Sequence, residues 1–270
     1  MEIDVMHMVY FSPTGTTKKI TDQIAAGFSE AFSLTTVESY DLTPASSRAR
    51  LPIELRGGLA FIGSPVYCGR VPSEVAARLA RISAFGVLAV VVAVYGNRAY
   101  DDSIMELGDL AIERGFRVVA AGAFIGEHSF SREATPIARG RPDKNDLQQA
   151  KEFGKAVSSK IKAALTSKAI PMIELPGTRP YRESPPAMGI SPISQQAVCT
   201  RCGKCAEICP RAAITNADPL KTDRELCILC CACVKECPTG ARMFVDKGFL
   251  QIAKNLAANC GNRKEPETYL

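Results

Sequence analysis

Eight of the eleven cysteines fall into two copies of one spacing in the last third of the chain. Each copy reads C-x2-C-x2-C-x3-C-P, and the second copy begins 28 residues after the first. The chain starts Met-Glu-Ile-Asp, without the basic and then apolar pattern of an export signal. We therefore expect reduced thiolates that bind metal rather than disulfides. The two copies consist of Cys199, Cys202, Cys205 and Cys209, and of Cys227, Cys230, Cys233 and Cys237.

This spacing suits a cubane 4Fe-4S cluster, which needs one thiolate at each of its four iron corners. Three cysteines at intervals of three let one short loop curl round the cube, while the fourth, before a proline, ligates the other cluster. Zinc is the alternative, but zinc sites usually pair two short motifs around one ion, which duplicated triplets do not fit. Residues 193–246 resemble two-cluster bacterial-type ferredoxins. The predicted ligands are Cys199, Cys202, Cys205 and Cys237 for one cluster, and Cys227, Cys230, Cys233 and Cys209 for the other.

Three cysteines stand outside this pattern. Cys231 lies inside the second triplet, but the residue 28 positions earlier is Gly203, so we interpret Cys231 as a bystander. Cys260 has no partner in a polar tail and is expected to be a free thiol. Cys68 has no second cysteine nearby, and for it we favour packing over a redox role.

A run of small hydroxyl-bearing residues follows the first predicted strand. Residues 12–17 read Ser-Pro-Thr-Gly-Thr-Thr, and their hydroxyls and backbone N–H groups would form an anion site at a helix N-terminus. A Walker loop would need a glycine directly before the lysine, but Thr17 precedes Lys18. No G-x-G-x-x-G follows any predicted strand, so a dinucleotide site has no support. An ordinary helix cap uses the same residue types and is the alternative.

Two further turns end neighbouring predicted strands. Residues 64–69 read Ser-Pro-Val-Tyr-Cys-Gly, and residues 95–101 read Tyr-Gly-Asn-Arg-Ala-Tyr-Asp. Aromatic rings beside a flat heterocycle, with backbone groups at its polar edge, suit a flavin. Because the chain has no tryptophan, Tyr67 and Tyr100 are the candidates for stacking. His128 follows the fifth predicted strand, and we favour a surface role for it over contact with the flavin.

The first 165 residues resemble flavodoxin. Residues 12–17 match that family's phosphate motif at Ser12, Thr14, Gly15 and Thr17, and the stretch from Tyr95 looks like its third FMN loop. The resemblance implies that residues 12–17 hold the FMN phosphate, while residues 64–69 and 95–101 hold the isoalloxazine. The whole chain is similar to flavodoxin–ferredoxin fusion proteins of anaerobes. The residues assigned to FMN are Ser12, Thr14, Gly15, Thr16, Thr17, Ser64, Pro65, Val66, Tyr67, Tyr95, Gly96, Asn97, Arg98, Tyr100 and Asp101.

Strand-like and helix-like segments alternate up to about residue 165 and must position these loops. Residues 87–95 are apolar throughout, as expected of a central parallel strand covered on both faces. The pattern predicts a flavodoxin-like, doubly wound, five-stranded parallel sheet, whose ligands lie beyond the carboxyl ends of the strands. A small α+β two-cluster ferredoxin domain follows it. Predicted strands span residues 3–11, 34–40, 58–63, 87–95 and 116–125, and predicted helices 20–32, 72–82, 101–114 and 147–165.

Six prolines between residues 168 and 192 preclude regular elements and mark a linker, for which we favour the role of a plain spacer. We predict an FMN-binding domain over residues 1–167 and a proline-rich linker over residues 168–192. A two-cluster domain follows over residues 193–270, with a short helix at 249–259 and a tail.

Charge and composition limit the kinds of partner that this protein is expected to bind. Lys and Arg exceed Asp and Glu by 33 to 28, a scattered formal excess of +5, which does not favour nucleic acid. Two clusters and an FMN phosphate would carry about −6, so the loaded protein sits near −1. The longest apolar run has nine residues, half of what a membrane span needs. We expect a cytoplasmic protein with redox partner proteins, no nucleic-acid or membrane partner, and an open oligomeric state.

The predicted function is electron transfer between FMN, two 4Fe-4S clusters and external redox partners. The alternative is an FMN-dependent reductase of a small oxidant such as a quinone, fed through the clusters. A carrier needs exposed cofactor edges, whereas a reductase needs a second cavity beside the flavin.

Overall fold

The computed structural model describes residues 3–32, 36–167 and 171–270. Up to residue 167, strands and helices alternate around one main sheet, with a short 3-10 helix at Ala45–Arg50. In chain order the elements are β1 (Val5–Tyr10), α1 (Thr16–Ser29), β2 (Thr36–Asp41), β3 (Ile53–Arg56), β4 (Leu59–Pro65), α2 (Ser73–Leu79), β5 (Ile82–Phe85), β6 (Leu88–Tyr95), α3 (Ser103–Glu113), β7 (Arg117–Ile125) and α4 (Lys144–Ser167).

The five strands β2, β1, β4, β6 and β7 lie side by side in that order, and all pair in parallel. Because β2 lies on one side of β1 and β4 on the other, the winding reverses there, and the order is the flavodoxin-like 2-1-3-4-5. The predicted fold class is therefore confirmed. Ligands of such sheets lie outside the carboxyl ends of the strands at this reversal.

Helices cover both faces of the sheet, which explains the apolar run of β6, where all eight residues are buried. On one face α1 packs tightly against α4, where a Cβ at Gly154 would collide with the carbonyl oxygen of Ile24. Helix α1 ends at Ser29 rather than at Phe32, and the Phe32 ring stacks on Phe28 with 4.6 Å between centroids. On the other face of the sheet, helices α2 and α3 pack against the strands and form a separate hydrophobic core with them.

Residues 171–192 form no helix or strand, as the prolines predict. They are nevertheless fixed to the N-terminal domain, because Asp102 accepts hydrogen bonds from the backbone N–H groups of Thr178 and Arg182. A plain spacer is therefore wrong for this segment. The rest of the chain contains β8 (Ile193–Ser194), α5 (Lys204–Glu207), α6 (Ala232–Lys235), β9 (Arg242–Met243), α7 (Lys247–Asn259) and β10 (Glu267–Tyr269).

Five strands of the described residues were not predicted, and two of them, β8 and β9, form a two-stranded antiparallel sheet of their own. The strands β3 and β5 form a separate two-stranded parallel sheet, and β10 adds an antiparallel sixth strand to the main sheet beside β7. Residues 34 and 35 of the predicted second strand, residues 168–170 of the linker and the first two residues lie outside the described residues. Within the described ranges, no helix has the length and hydropathy required to cross a membrane.

Candidate functional site

Two cavities in the second domain are ringed by cysteines. Around each cavity lie the four cysteines of one predicted ligand set, three from one motif and the fourth from the other. Four thiolates around a small cavity fit the donor set of an iron–sulfur cluster. The first cavity is lined by Cys199, Cys202, Cys205 and Cys237, and the second by Cys209, Cys227, Cys230 and Cys233 together with Cys231, which is not a predicted ligand.

The backbone of the two motifs repeats with the same 28-residue offset as the sequence. Arg201 and Leu229 both have positive φ, at 55° and 56°. Gly203 and Cys231 do too, at 77° and 61°, so Cys231 occupies a position that glycine fills in the other copy. Its side chain is buried with Phe244 in a small apolar cluster. The conformation and packing of Cys231 therefore have a structural role of their own.

Backbone N–H groups point at the cysteine sulfurs. The Ala213 N–H donates to Cys209 Sγ at 3.2 Å. Burial would raise the pKa of Cys237, but the N–H groups of Arg242, Thr239 and Ala241 hold it below its usual value. Such donors stabilise thiolates and the cluster sulfides next to them. Within the described residues, no three His, Cys, Asp or Glu side chains meet closely enough to hold a single metal ion.

The second cavity is more deeply buried than the first. Cys230 is 9% exposed, whereas Cys202 is open to solvent. Burial raises the pKa of Cys233 to about 11 and that of Cys230 further still. The two sets of ligands therefore have different surroundings despite their shared sequence.

The predicted phosphate loop lies between β1 and α1 and has the geometry of an anion cradle. Ser12 Oγ accepts a hydrogen bond from the Lys18 N–H at 3.0 Å, while Thr43 Oγ1 accepts from the Ser12 N–H at 2.7 Å. Gly15 has φ of 81°, and a Cβ there would meet no atom within 4 Å. Since the first N–H groups of a helix have no partner within it, Thr16 and Thr17 can offer theirs to a phosphate. The residues present fit the phosphate end of FMN.

The second predicted FMN loop is a tight turn after β4. Tyr67 and Arg70 exchange backbone hydrogen bonds of 3.0 Å, with Cys68 and Gly69 at positive φ between them. Cys68 is exposed, so the expectation that it packs is wrong. Gly69 lies against Asp101, whose carboxylate a Cβ would meet, so the second and third loops touch.

The third loop carries two aromatic rings, but its outer ring is held by the C-terminal tail. Tyr95 and Tyr100 meet edge to face, with 5.5 Å between centroids and 63° between planes. The Tyr100 hydroxyl donates to Glu267 Oε2 at 2.6 Å and lies 2.8 Å from the Tyr269 hydroxyl. The sequence did not predict this role for Glu267 and Tyr269, because nothing in a polar tail indicates contact with a distant loop.

Asn97 anchors the same tail from the middle of the third loop. It is 2% exposed, has φ of 65°, and its Nδ2 donates to the carbonyl oxygens of Cys260 and Asn262 at 2.7 and 2.8 Å. Neighbouring Gly96 lies against the His128 ring, which a Cβ would strike. The third loop is thus packed between the tail and the loop after β7.

His128 is half-buried rather than a free surface residue. Its Nδ1 accepts a hydrogen bond from the Phe130 N–H at 3.0 Å. Burial, assisted by the positive charges of Lys235 and Arg98, lowers the pKa of His128 to about 4. The imidazole is therefore neutral at ordinary pH and packs as an uncharged ring.

The second domain sits on the N-terminal domain at this edge of the sheet. The Tyr67 hydroxyl is buried close enough to Cys230, Cys231 and Cys227 that their charges, after burial itself, raise its pKa. Ile228, between two of these cysteines, packs against the core of the N-terminal domain. The second cavity therefore adjoins the second predicted FMN loop.

A buried ion network holds the two domains together beside that cavity. Glu74, whose side chain is 2% exposed, accepts from Arg48, Arg78 and Arg211, the last of which belongs to the second domain. Arg78 also donates to the Pro210 carbonyl oxygen at 2.5 Å. Burial would raise the pKa of Glu74, but the three guanidinium groups lower it to about 2.

Two more contacts also join the two domains. Lys235 Nζ donates to Glu127 Oε1 at 2.8 Å, and the rings of Phe130 and Phe249 lie 4.5 Å apart. These contacts join the loop after β7 to α6 and α7. A further cavity of about 280 Å³ lies beside the third loop, lined by Tyr95, Ala99, Tyr100, Asp101, Pro176, Gly177, Lys264 and Glu267.

Comparison with known proteins matches the cysteine-rich domain to a family by sequence, whereas the N-terminal domain is similar to known proteins only in structure. Residues 195–215 and 220–243 match the 4Fe-4S binding domain family. No curated relative matches the chain in sequence.

Among solved structures, the rubredoxin:oxygen oxidoreductase of the anaerobe Desulfovibrio gigas is 17% identical with a TM-score of 0.41, covering 61% of this chain and 37% of its own. This chain thus spans little more than a third of that protein's length. An archaeal flavodoxin is 16% identical with a TM-score of 0.37, over 58% of this chain and 99% of its own. Flavodoxin 1 from Bacillus cereus is 18% identical with a TM-score of 0.36, over 56% and 94%.

The strand order of the main sheet places the first domain in the flavodoxin-like class, and the cysteine motifs place the second among 4Fe-4S domains. The 4Fe-4S binding domain belongs to redox chemistry and supports an electron-transfer role for the protein. The chain is a fusion of a flavodoxin-like domain with a 4Fe-4S ferredoxin domain.

Proposed function

We propose that this protein is an electron carrier that relays electrons between FMN, two 4Fe-4S clusters and redox partner proteins. The observation that carries the proposal is the position of the second cavity, whose cysteines lie beside Tyr67 of the second FMN loop. When bound, FMN exchanges one or two electrons, whereas each cluster exchanges one.

The chain's own residues would hold these groups in place. Residues 12–17 would bind the phosphate through the N–H groups at the start of α1, and the turns after β4 and β6 would enclose the ring. The four cysteines of each cavity would ligate one cluster, and the N–H groups aimed at sulfur would stabilise its charge.

The interface would keep the second cluster close to the flavin. Glu74 and the arginines around it, with the Phe130–Phe249 contact, make the two domains meet at a defined surface. The first cavity is the exposed one, since it includes Cys202, and we infer that partner proteins approach there.

A reductase of a small oxidant such as a quinone is the second candidate. The cavity of about 280 Å³ beside Tyr95 and Tyr100 favours it, because a reductase needs room for a substrate near the flavin loops.

Anaerobic purification followed by addition of electron donors and acceptors tests the proposal. A carrier should contain flavin, iron and acid-labile sulfide, equilibrate with reduced ferredoxin, and turn over quinones slowly. Rapid turnover with a quinone would establish the reductase instead. Recovery of about two zinc ions and no sulfide would overturn the cluster assignment.

A further inference from the structure

One buried arginine of the second domain lies between the two sets of cysteines. Arg242 is 3% exposed and lines the first cavity. Its Nη2 is 3.8 Å from the Sγ of Cys233, which belongs to the second cavity. A single guanidinium therefore faces the ligands of both predicted clusters.

The partners of Arg242 are neutral. Its Nη1 donates to Ser194 Oγ at 2.8 Å, and its Nη2 donates to Thr222 Oγ1 at 2.5 Å. Within the part of the chain that the structure describes, its buried Nε has no hydrogen-bond partner and no carboxylate forms an ion pair with it. A buried cation without a counter-anion is strongly unfavourable, so the position calls for negative charge close by.

The sulfurs of both cavities meet that need. Arg242 lines the first cavity together with Cys199, Cys202, Cys205 and Cys237. Its Nη2 lies 3.8 Å from Cys233 Sγ, which lines the second cavity. The arginine therefore acts on both ligand sets.

The repeat supplies an internal comparison. The residue 28 positions before Arg242 is Ile214, which is buried and lines the second cavity. The second cavity has an arginine at another position of the motif, Arg211, whose charge is balanced by Glu74 of the first domain. Only one of these two cavity arginines therefore has a carboxylate partner among the described residues.

We propose that Arg242 is a positioning residue for electron storage, whose charge offsets the repulsion between the two clusters and so lets both be reduced. The inference rests on the proposed function. Each reduction adds one electron from an external reductant to a cluster, with no bond made or broken, and thereby adds one negative charge to a confined region. Because net charge near a cluster sets its reduction potential, a buried cation between two clusters raises both potentials.

The test is a potentiometric titration of the full chain with dithionite, followed by EPR and visible absorbance. The variant Arg242→Gln keeps hydrogen-bond donors but removes the charge, and Arg242→Lys keeps the charge. We expect Arg242→Gln to lower at least one cluster potential by 59 mV or more, a tenfold change in the equilibrium for one electron. Arg242→Lys should stay closer to the parent chain. Arg211→Gln, whose parent residue is half-buried and paired, should shift the potentials less.

Iron and sulfide content of each variant separates the outcomes. A parent chain without iron and sulfide would overturn the proposed function itself. A loaded Arg242→Gln with unchanged potentials would overturn the inference alone. If Arg242→Lys binds its clusters and Arg242→Gln does not, the result supports a role for the positive charge. If only Arg242→Gln binds its clusters, or neither variant does, Arg242 has a hydrogen-bonding role and the inference is overturned.

Discussion

The two cysteine cavities share one sequence motif but differ in their surroundings. The first includes the exposed Cys202, while the second is buried against the N-terminal domain through Ile228 and Tyr67. Duplication therefore supplies two sets of candidate ligands with the same spacing, and domain packing gives the two sets different surroundings. We interpret the exposed cavity as the place of exchange with partner proteins and the covered one as the place of exchange with the flavin domain.

Loss of a single ligand has the largest expected effect on this comparison. Cys202→Ser and Cys230→Ser should each remove about one cluster, or about half of the iron and acid-labile sulfide. Because Cys230 lies at the domain interface, its variant should also expose the interface to proteolysis, whereas Cys202→Ser should not. Metal analysis and limited proteolysis measure both effects.

The cysteines outside the ligand sets provide the control. Cys260→Ser should retain all of its iron, because Cys260 lies at the end of α7 and not in either cavity. Loss of half of the iron from Cys260→Ser would contradict the ligand assignment. Equal proteolysis of Cys202→Ser and Cys230→Ser would contradict the difference between the cavities.

Glu74→Gln should break the ion network that joins the covered cavity to the N-terminal domain. Removal of the carboxylate leaves the buried guanidinium of Arg78 without a counter-charge, which typically costs about 3–5 kcal/mol. Urea unfolding of the full chain measures the change. The matched control is Glu54→Gln, which disrupts an exposed pair with Arg56 and should cost less than about 1 kcal/mol. Equal losses for both variants would show that the interface does not depend on the network.

Asn97→Ala should weaken flavin binding by loosening the third loop from the tail. The variant loses three partly buried hydrogen bonds to the tail, each contributing about 1 kcal/mol, so the FMN dissociation constant should rise about tenfold or more. Fluorescence titration of the flavin-free protein measures it. Asn97→Gly separates side chain from backbone, because glycine accepts the positive φ without strain. Asn255 is exposed, so Asn255→Ala is the control and should bind FMN as tightly as the parent chain. If Asn97→Gly also binds FMN as tightly as the parent chain, the weaker binding of Asn97→Ala comes from backbone strain alone and not from the lost hydrogen bonds.

The smallest expected effect is the change with pH in the free energy of unfolding that comes from the packing of His128. Its pKa is lowered from 6.5 to about 4 in the folded chain, so the stabilisation is complete above pH 6.5 and is lost as the pH falls toward 4. Between pH 7 and pH 5 the free energy of unfolding should fall by on the order of 1 kcal/mol more than in His128→Gln. Parallel pH profiles for the two proteins would show that the ring is not held neutral by the fold.

Local sequence patterns predicted the five parallel strands of the main sheet, because apolar runs such as residues 87–95 belong to strands that helices cover on both faces. The same holds for the cysteines, since ligand spacing is a short-range property of the chain. The structure places the motif cysteines around two cavities, the second of which also includes Cys231, and their role as ligands stays a prediction.

The missed features depend on contacts between residues distant in sequence. The strand β10 is a polar triplet, Glu267 to Tyr269, which pairs with β7 more than 100 residues earlier. Glu74 and Arg78 look like an ordinary helical pair until Arg211 of the other domain is placed beside them. The exposure of Cys68 likewise follows from a turn at positive φ that no local pattern announces.

The central claim is that electrons pass between the clusters and FMN within one chain. The direct test is stopped-flow absorbance after anaerobic mixing with a substoichiometric reductant, which follows cluster bleaching and flavin reduction at several protein concentrations. Transfer within the chain predicts a redistribution phase whose rate constant does not change with protein concentration, and which slows in Glu74→Gln. A redistribution rate that rises in proportion to protein concentration would contradict the claim.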